Sequence, residues 1–470
     1  ANNNTAVGYY ALNANTTGAE NVGVGASALV SNTTGNNNTA VGAYALDANT
    51  TGTANVAVGR QALTSVTTNS YNTGVGYGAL RDNTGAKNTS FGYQALAANL
   101  SSENSVAIGY NCMAISTSGA NNTAMGSNCM VANTNGYNNV AVGVQALYAN
   151  QSGGNSTAIG YKALEEQLTG NNTAVGYEAL RKNTTGTRNT AMGQHALDAN
   201  TTANDNTAFG YQALTENTTG EYNTAVGRGA LQANTTANEN VAIGYYALTA
   251  NTTGAHNVAV GHDAGKAITT GSYNIAIGRD AMQVCTDGAS NVAVGSNALD
   301  ACVSGSNNVA IGDFSLTSYT GNGNTAVGHD SLNACTTGSS NTAIGYNSMD
   351  ANTTGGNNTS VGNDSLSANT EGDNNTAVGS DSLGNTSTGS RNTAAGKSAL
   401  LANTTGSDNT AFGFGALDAQ STSSDNSAFG AYALTSNTGV RNTGLGRDAL
   451  EANTTGGDNT AVGHYAMLSN

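Results

Sequence analysis

The apolar residues of this chain recur with a fixed spacing. Taking Asn4 as position 1, residues 4–20 read NTAVGYYALNANTTGAE, and the same order of small, apolar and polar positions returns every 17 residues. Twenty-eight starts can be followed, from Asn4 to Asn459. The units beginning at Asn72, Ser156, Asn308 and Asn426 are one residue shorter, with the loss after the ninth position. A deletion tolerated there marks the later part of the unit as a loop. Self-similarity at so short a period signals a repeat architecture in which each unit buries its apolar face only against its neighbours.

Position 5 is Gly in every unit, from Gly8 to Gly463, as a tight corner requires. Position 1 is Asn except at Ser105 and Ser156, and position 2 is Thr, Val or Ile except at Ser427. Asn suits corners and can bond to the same amide one coil on, and β-branched residues suit strands. Seventeen residues are too few for a helix pair or a propeller blade. The pattern therefore predicts an all-β chain, a parallel β-solenoid or β-roll of about 28 coils, each with two short strands near positions 1–5 and 6–10. It runs through residues 1–470 as one continuous domain, and the chain reads as a piece of a longer protein.

Side chains alternate along a strand, so position 3 opposes positions 2 and 4. Position 3 is always Ala, Gly or Ser, as at Ala6, Gly23 and Ser90, and position 4 is always apolar, as at Val7, Phe91, Ile108 and Met125. Position 8 is again small, and position 9 is Leu or Met except at Gly265. Restriction on both faces of a strand implies burial on both. One face fills the coil, and the other predicts a partner, another copy of the same chain. Positions 6, 7, 10, 16 and 17 vary and are mostly polar, which predicts solvent exposure.

The stretch NSVAIG at 104–109, with NVAIG at 240–244 and NTAIG at 341–345, resembles the head-domain repeat of trimeric autotransporter adhesins. The resemblance implies a left-handed parallel β-roll assembled as a trimer, on a surface-exposed filament that grips cells or matrix without catalysis. The unit here is longer by its regular Asn-Thr-Thr-Gly loop. Similar longer repeats occur in phage tail fibres and in giant surface proteins of marine bacteria.

Composition narrows the reading. Only 14 Lys and Arg stand against 29 Asp and Glu, a net charge of −15, so nucleic acid and anionic lipid are poor partners. No apolar run reaches membrane-spanning length. Fourteen of the 20 Tyr occupy positions 6 and 7, among them Tyr9, Tyr10, Tyr77, Tyr93, Tyr245 and Tyr246. These form a candidate contact surface for glycans or a target cell, or packing between chains.

Candidate chemistry is sparse. Cys112 and Cys129 share position 8 of successive units, and Cys285, Cys302 and Cys335 share position 12, which reads as buried packing or as an axial disulfide. Metal spacing is lacking and no cofactor is expected. His195, His256, His262, His329 and His464 fall at outward positions, and adjacent strand residues should hold His262 and His329 away from Asp263 and Asp330. The GKAITT run from Gly265 lacks the spacing of a phosphate loop; Ile268 instead compensates for the missing Leu. Asn-Thr-Thr matches a glycosylation acceptor but reads as a structural ladder, and Ser at position 8 from Ser315 to Ser382 could bond along the stack. The expected function is a non-enzymatic, extracellular, homo-oligomeric structural and adhesive filament on a cell surface, with a phage-type tail-fibre shaft or an ice-binding Thr rank as alternatives.

Overall fold

The computed structural model describes residues 3–468. They fall into two compact units, Ala1–Thr236 and Ala237–Asn470, each a parallel β-solenoid, and together they hold about 27 turns of about 17 residues. No helix occurs among the described residues. In the first unit, fourteen three-residue strands from Thr5–Val7 to Thr224–Val226 pair with their neighbours in parallel and without register shift, so that Ala6 faces Gly23 and Ala191 faces Ala208. The second unit repeats this from Val241–Ile243 to Thr460–Val462, with Ala242 facing Ala259 and Ala411 facing Ala428.

The expected second strand is not there. Each turn carries one short strand, over positions 2–4. A small extra pairing exists only between Ala98–Asn99 and Ile115–Ser116, at positions 11 and 12 rather than 6 to 10. The reason lies in the backbone: positions 7 and 9 are left-handed, as at Tyr10 (φ 57°), Leu12 (φ 53°), His195 (φ 56°) and Leu197 (φ 52°). Residues that switch hand at every second position wind around a corner and cannot extend. The ladder between turns nevertheless continues through them, because Leu12 N donates to Ala28 O at 3.0 Å and Ser27 N donates to Tyr9 O at 2.8 Å. A left-handed conformation costs a leucine about 1–2 kcal/mol. Complete burial stabilises the same side chain by about 1.5–3 kcal/mol, and Leu197 is wholly buried, as are Leu29 and Leu46. Burial therefore outweighs local preference. At Gly265, where the leucine is lost, a Cβ would lie 3.1 Å from Ile268 Cδ1, so Ile268 does occupy the vacated space.

Inside each turn the core is thin. Position 3 alanines, position 8 alanines and position 9 leucines are buried together with two columns of Asn. Position 1 asparagines pass their carbonyl to the next turn's backbone, as Asn38 N donates to Asn21 Oδ1 at 2.9 Å, while Asn38 Nδ2 donates to Gly52 O at 2.8 Å. Position 12 asparagines bond amide to amide, Asn49 Nδ2 to Asn32 Oδ1 at 2.8 Å, and also donate to Gly52 O at 3.1 Å. Two amides thus clamp one loop carbonyl. Thr at position 13 completes the loop, with Thr33 Oγ1 donating to Thr50 O at 3.0 Å. These ladders explain why Asn-Thr-Thr-Gly recurs: the loop's buried amide and hydroxyl donors find acceptors in their own or the adjoining turn, while Asn49 Oδ1, Asn369 Oδ1, Asn403 Oδ1 and Asn453 Oδ1 are buried without a hydrogen-bond partner.

The strand faces alternate as expected, and the structure turns position 3 inward and positions 2 and 4 outward. Ala40 is inaccessible, whereas Val41 keeps 37% of its surface and Phe91 keeps 42%. Nothing among the described residues covers that outer face.

Candidate functional site

No pocket opens among the described residues, and the exposed side chains lie on the outer surface. The tyrosines at positions 6 and 7 stand there. Tyr9, Tyr10, Tyr77, Tyr93 and Tyr245 are exposed and Tyr246 is half-buried. They do not gather into one site. In the first unit Tyr77, Tyr93 and Tyr110 form a stack with centroids 5.4 and 5.3 Å apart and rings 11° and 10° from parallel. Tyr9 and Tyr10 tilt against each other at 4.1 Å. In the second unit Tyr245 meets Tyr246 edge-on at 4.3 Å and stacks on His262 at 5.0 Å. A stacked ladder hides ring faces and offers edges and hydroxyls. Sugar rings dock on aromatic faces, so the stack presents hydrogen-bonding tips to a partner rather than a flat platform.

The histidine–aspartate pairs contradict the strand argument. His329 Nδ1 lies 2.8 Å from Asp330 Oδ2, and His262 Nδ1 lies 3.6 Å from Asp263 Oδ2. Positions 6 and 7 do not point to opposite faces, because Asp330 (φ 55°) and Asp263 (φ 55°) are left-handed. The His329 ring otherwise meets aromatic groups, Tyr346 at 5.5 Å and Phe314 at 6.1 Å, which gives no nucleophile for a base to activate. Lys266 Nζ is held 3.1 Å from Asp263 Oδ2, so the GKAITT run presents a neutralised lysine to solvent.

Two clusters have ligand atoms within 4.8 Å of one another, Glu178–His195–Asp198 and His262–Asp263–Asp280. Each already contains a cationic side chain. Arg181 Nε lies 2.9 Å from Asp198 Oδ1 and 3.9 Å from Glu178 Oε2, and Arg279 Nε lies 3.1 Å from Asp280 Oδ2. The first is an ion-pair network spanning successive turns, and in the second the pairs His262–Asp263 and Arg279–Asp280 each lie within one turn. Similar ladders join the last positions of adjoining turns. Arg188, Arg391 and Arg441 grip Asp205, Asp408 and Asp458 through paired hydrogen bonds of 2.6–2.9 Å. The guanidinium hydrogen bonds hold those three carboxyls below the ordinary carboxylate range. A column reading of the sequence contains this signal, since in each pair the opposite charges stand 17 letters apart, at the last position of successive units.

Position 10 carries the opposite perturbation. Asp47, Asp300, Asp350 and Asp418 sit half-buried, and burial pushes each carboxyl above its usual range. One oxygen of Asp47, Asp300 and Asp350 is buried without a hydrogen-bond partner. Position 10 varies in sequence, which hid this burial.

All five cysteines are buried and free. The Cys112 thiol and burial together push Cys129 up, and burial raises Cys335 to about 11. The loop asparagines of Asn-Thr-Thr are also buried, which closes them to a glycosyltransferase in the folded chain. In the serine block the hydroxyls turn mainly to their own turn: Ser315 donates to Gly312 O and Ser331 to Gly328 O, both at 3.0 Å. Ser348 reaches along the stack, 2.8 Å from Ser360 Oγ and 3.5 Å from Ser365 Oγ of the next turn.

Fold and surface together define a tandem-repeat parallel β-solenoid, with no concave site among the described residues. No protein-family model and no curated protein matches the chain.

Proposed function

We propose that the chain is a segment of an extracellular structural and adhesive filament, a non-catalytic, homo-oligomeric β-solenoid fibre on a cell surface. The observation that carries this reading is the ladder of backbone and Asn side-chain bonds, repeated turn after turn within each unit while positions 6, 7, 16 and 17 vary freely around it. Such a scaffold supplies stiffness and reach, and its variable rows supply contacts. Convergent groups in a water-excluding cleft, which catalysis needs, have no counterpart on this surface. The partners on this reading are copies of the chain itself and a target-cell surface or its glycans.

Negative-stain microscopy of the purified protein, with binding of fluorescent beads coated with it to candidate cells and glycan surfaces, tests the reading. Extended fibres that attach saturably are expected. Compact particles without attachment, or turnover of a glycan by the fragment alone, would sink it.

A further inference from the structure

The outer face of the strands is an uncharged, uncovered sheet surface, and we infer that it is where a second copy of this chain packs, strand face against strand face. The inference rests on the reading of the chain as a homo-oligomeric fibre and assigns the contact to positions 2 and 4, away from the tyrosine rows. Three observations support it.

The first is openness. Ile243, Ile277, Ile311 and Ile344 keep 41, 38, 39 and 40% of their surface although each is flanked by neighbours in the adjoining turns. That exposure belongs to a sheet face with nothing above it. The second is charge. No Asp, Glu, Lys or Arg stands at position 2 or 4 in any of the 28 units, whereas positions 6 and 7, also on the surface, hold fourteen. An exposed sheet face tolerates charge readily, so its strict exclusion here identifies a surface buried in the working assembly. The third is area. Three residues at about 3.3 Å and turns about 4.8 Å apart make a strip of roughly 650 Å² over one unit's fourteen strands. Two facing strips remove roughly 1,300 Å² from water, within the range of stable specific complexes. The β-branched Thr and Val of position 2 flank the larger Val, Ile, Phe and Met of position 4, so two such strips can interdigitate as packed sheets do.

Sedimentation or light scattering on the purified chain at micromolar concentration provides the test. The wild type is expected to be a homo-oligomer. Val142→Lys, Ile159→Lys and Val175→Lys together place three charges at position 4 of successive turns and should yield a monomer with an unchanged far-ultraviolet circular dichroism spectrum. Val144→Lys, Tyr161→Lys and Tyr177→Lys place the same charges at position 6 of the same turns and should leave the oligomer intact. Should the first variant not fold, Val142→Thr, Ile159→Thr and Val175→Thr replace it and should weaken association at least tenfold. A monomeric wild type, an oligomer indifferent to position 4, dissociation by the position 6 set, or a monomer that co-sediments with phosphatidylcholine vesicles through this face would each overturn the inference. A monomer that still attaches to cells would refute this interface and leave adhesion standing; an oligomer that attaches to nothing would do the reverse.

Discussion

Replacing Gly193 by alanine probes the feature on which the stacking depends. Gly193 has φ 137°, and a Cβ there would stand 2.4 Å from the carbonyl oxygen and 2.6 Å from the carbonyl carbon of Gly210 in the next turn. The obstacle is backbone, so no side-chain rotation relieves it. Restoring ordinary contact requires the two turns to part by about 1 Å. That movement stretches the bond from Gly210 N to Met192 O, now 2.7 Å, and loosens the pairing of Thr190–Met192 with Thr207–Phe209. Two or three weakened hydrogen bonds at about 1 kcal/mol each, with about 1–3 kcal/mol for the disfavoured backbone, give about 3–6 kcal/mol. Because turns of a solenoid touch only their neighbours, the loss stays local. Hydrogen exchange followed by mass spectrometry should show the amides of 190–193 and 207–210 exchanging about a hundredfold faster or more, with remote turns unchanged. Gly186→Ala is the control. Its Cβ would also crowd the next turn, 2.3 Å from Ala203 O, but Gly186 is not left-handed and the equivalent place already holds Asn69, Ser102, Ala203 and Ser423. The loop there yields, and the change should stay within about 1 kcal/mol. Wild-type exchange in Gly193→Ala, or equal effects of the two substitutions, would refute the stacking argument.

Other outcomes follow from the interior. Asn200→Ala removes an amide that donates to Asn183 Oδ1 at 2.8 Å and to Ala203 O at 3.2 Å and accepts from Asn217 at 3.1 Å; stranding those buried groups should cost about 2–4 kcal/mol, read as a lowered thermal midpoint. Leu197→Ala should cost about 2–5 kcal/mol in the same assay, and a loss below that would mean the site collapses. The carboxyls at position 10 bind their protons more tightly folded than unfolded, so their contribution is full below the ordinary carboxylate range and declines as pH rises through the raised values. Asp350→Asn should therefore raise the thermal midpoint at pH 7 and flatten its fall with rising pH, and melting curves parallel to the wild type would contradict this. The paired Asp205, Asp408 and Asp458 act in the opposite sense, their contribution being present above the ordinary range and lost as pH falls through the lowered values. The five thiols should resist Ellman's reagent in the native protein and react fully in denaturant; rapid native reaction would show that the turns open.

Much of this protein is legible from its letters because the period is strict. The 17-residue repeat, a strand near positions 1–5, which the structure narrows to positions 2–4, the corner glycine and the opposition of position 3 to positions 2 and 4 all follow from which residues recur where. Contact between turns needs no long-range inference when each position meets its own equivalent one unit later. The sign of φ is another matter. Leu12 and Leu197 look like strand residues, yet burial drives them into a left-handed conformation that leucine alone disfavours, and the second strand becomes a wound corner. That change of hand brings His329 onto Asp330, and packing leaves Asp350 half-buried at a position the sequence treats as variable. Sequence shows that both faces of the strand are restricted. Only the tertiary structure decides which of them the chain can bury by itself: Ala191 is completely buried inside the turn, and the row of Val41, Phe91 and Ile159 stays open because a coil only 17 residues around has one inside.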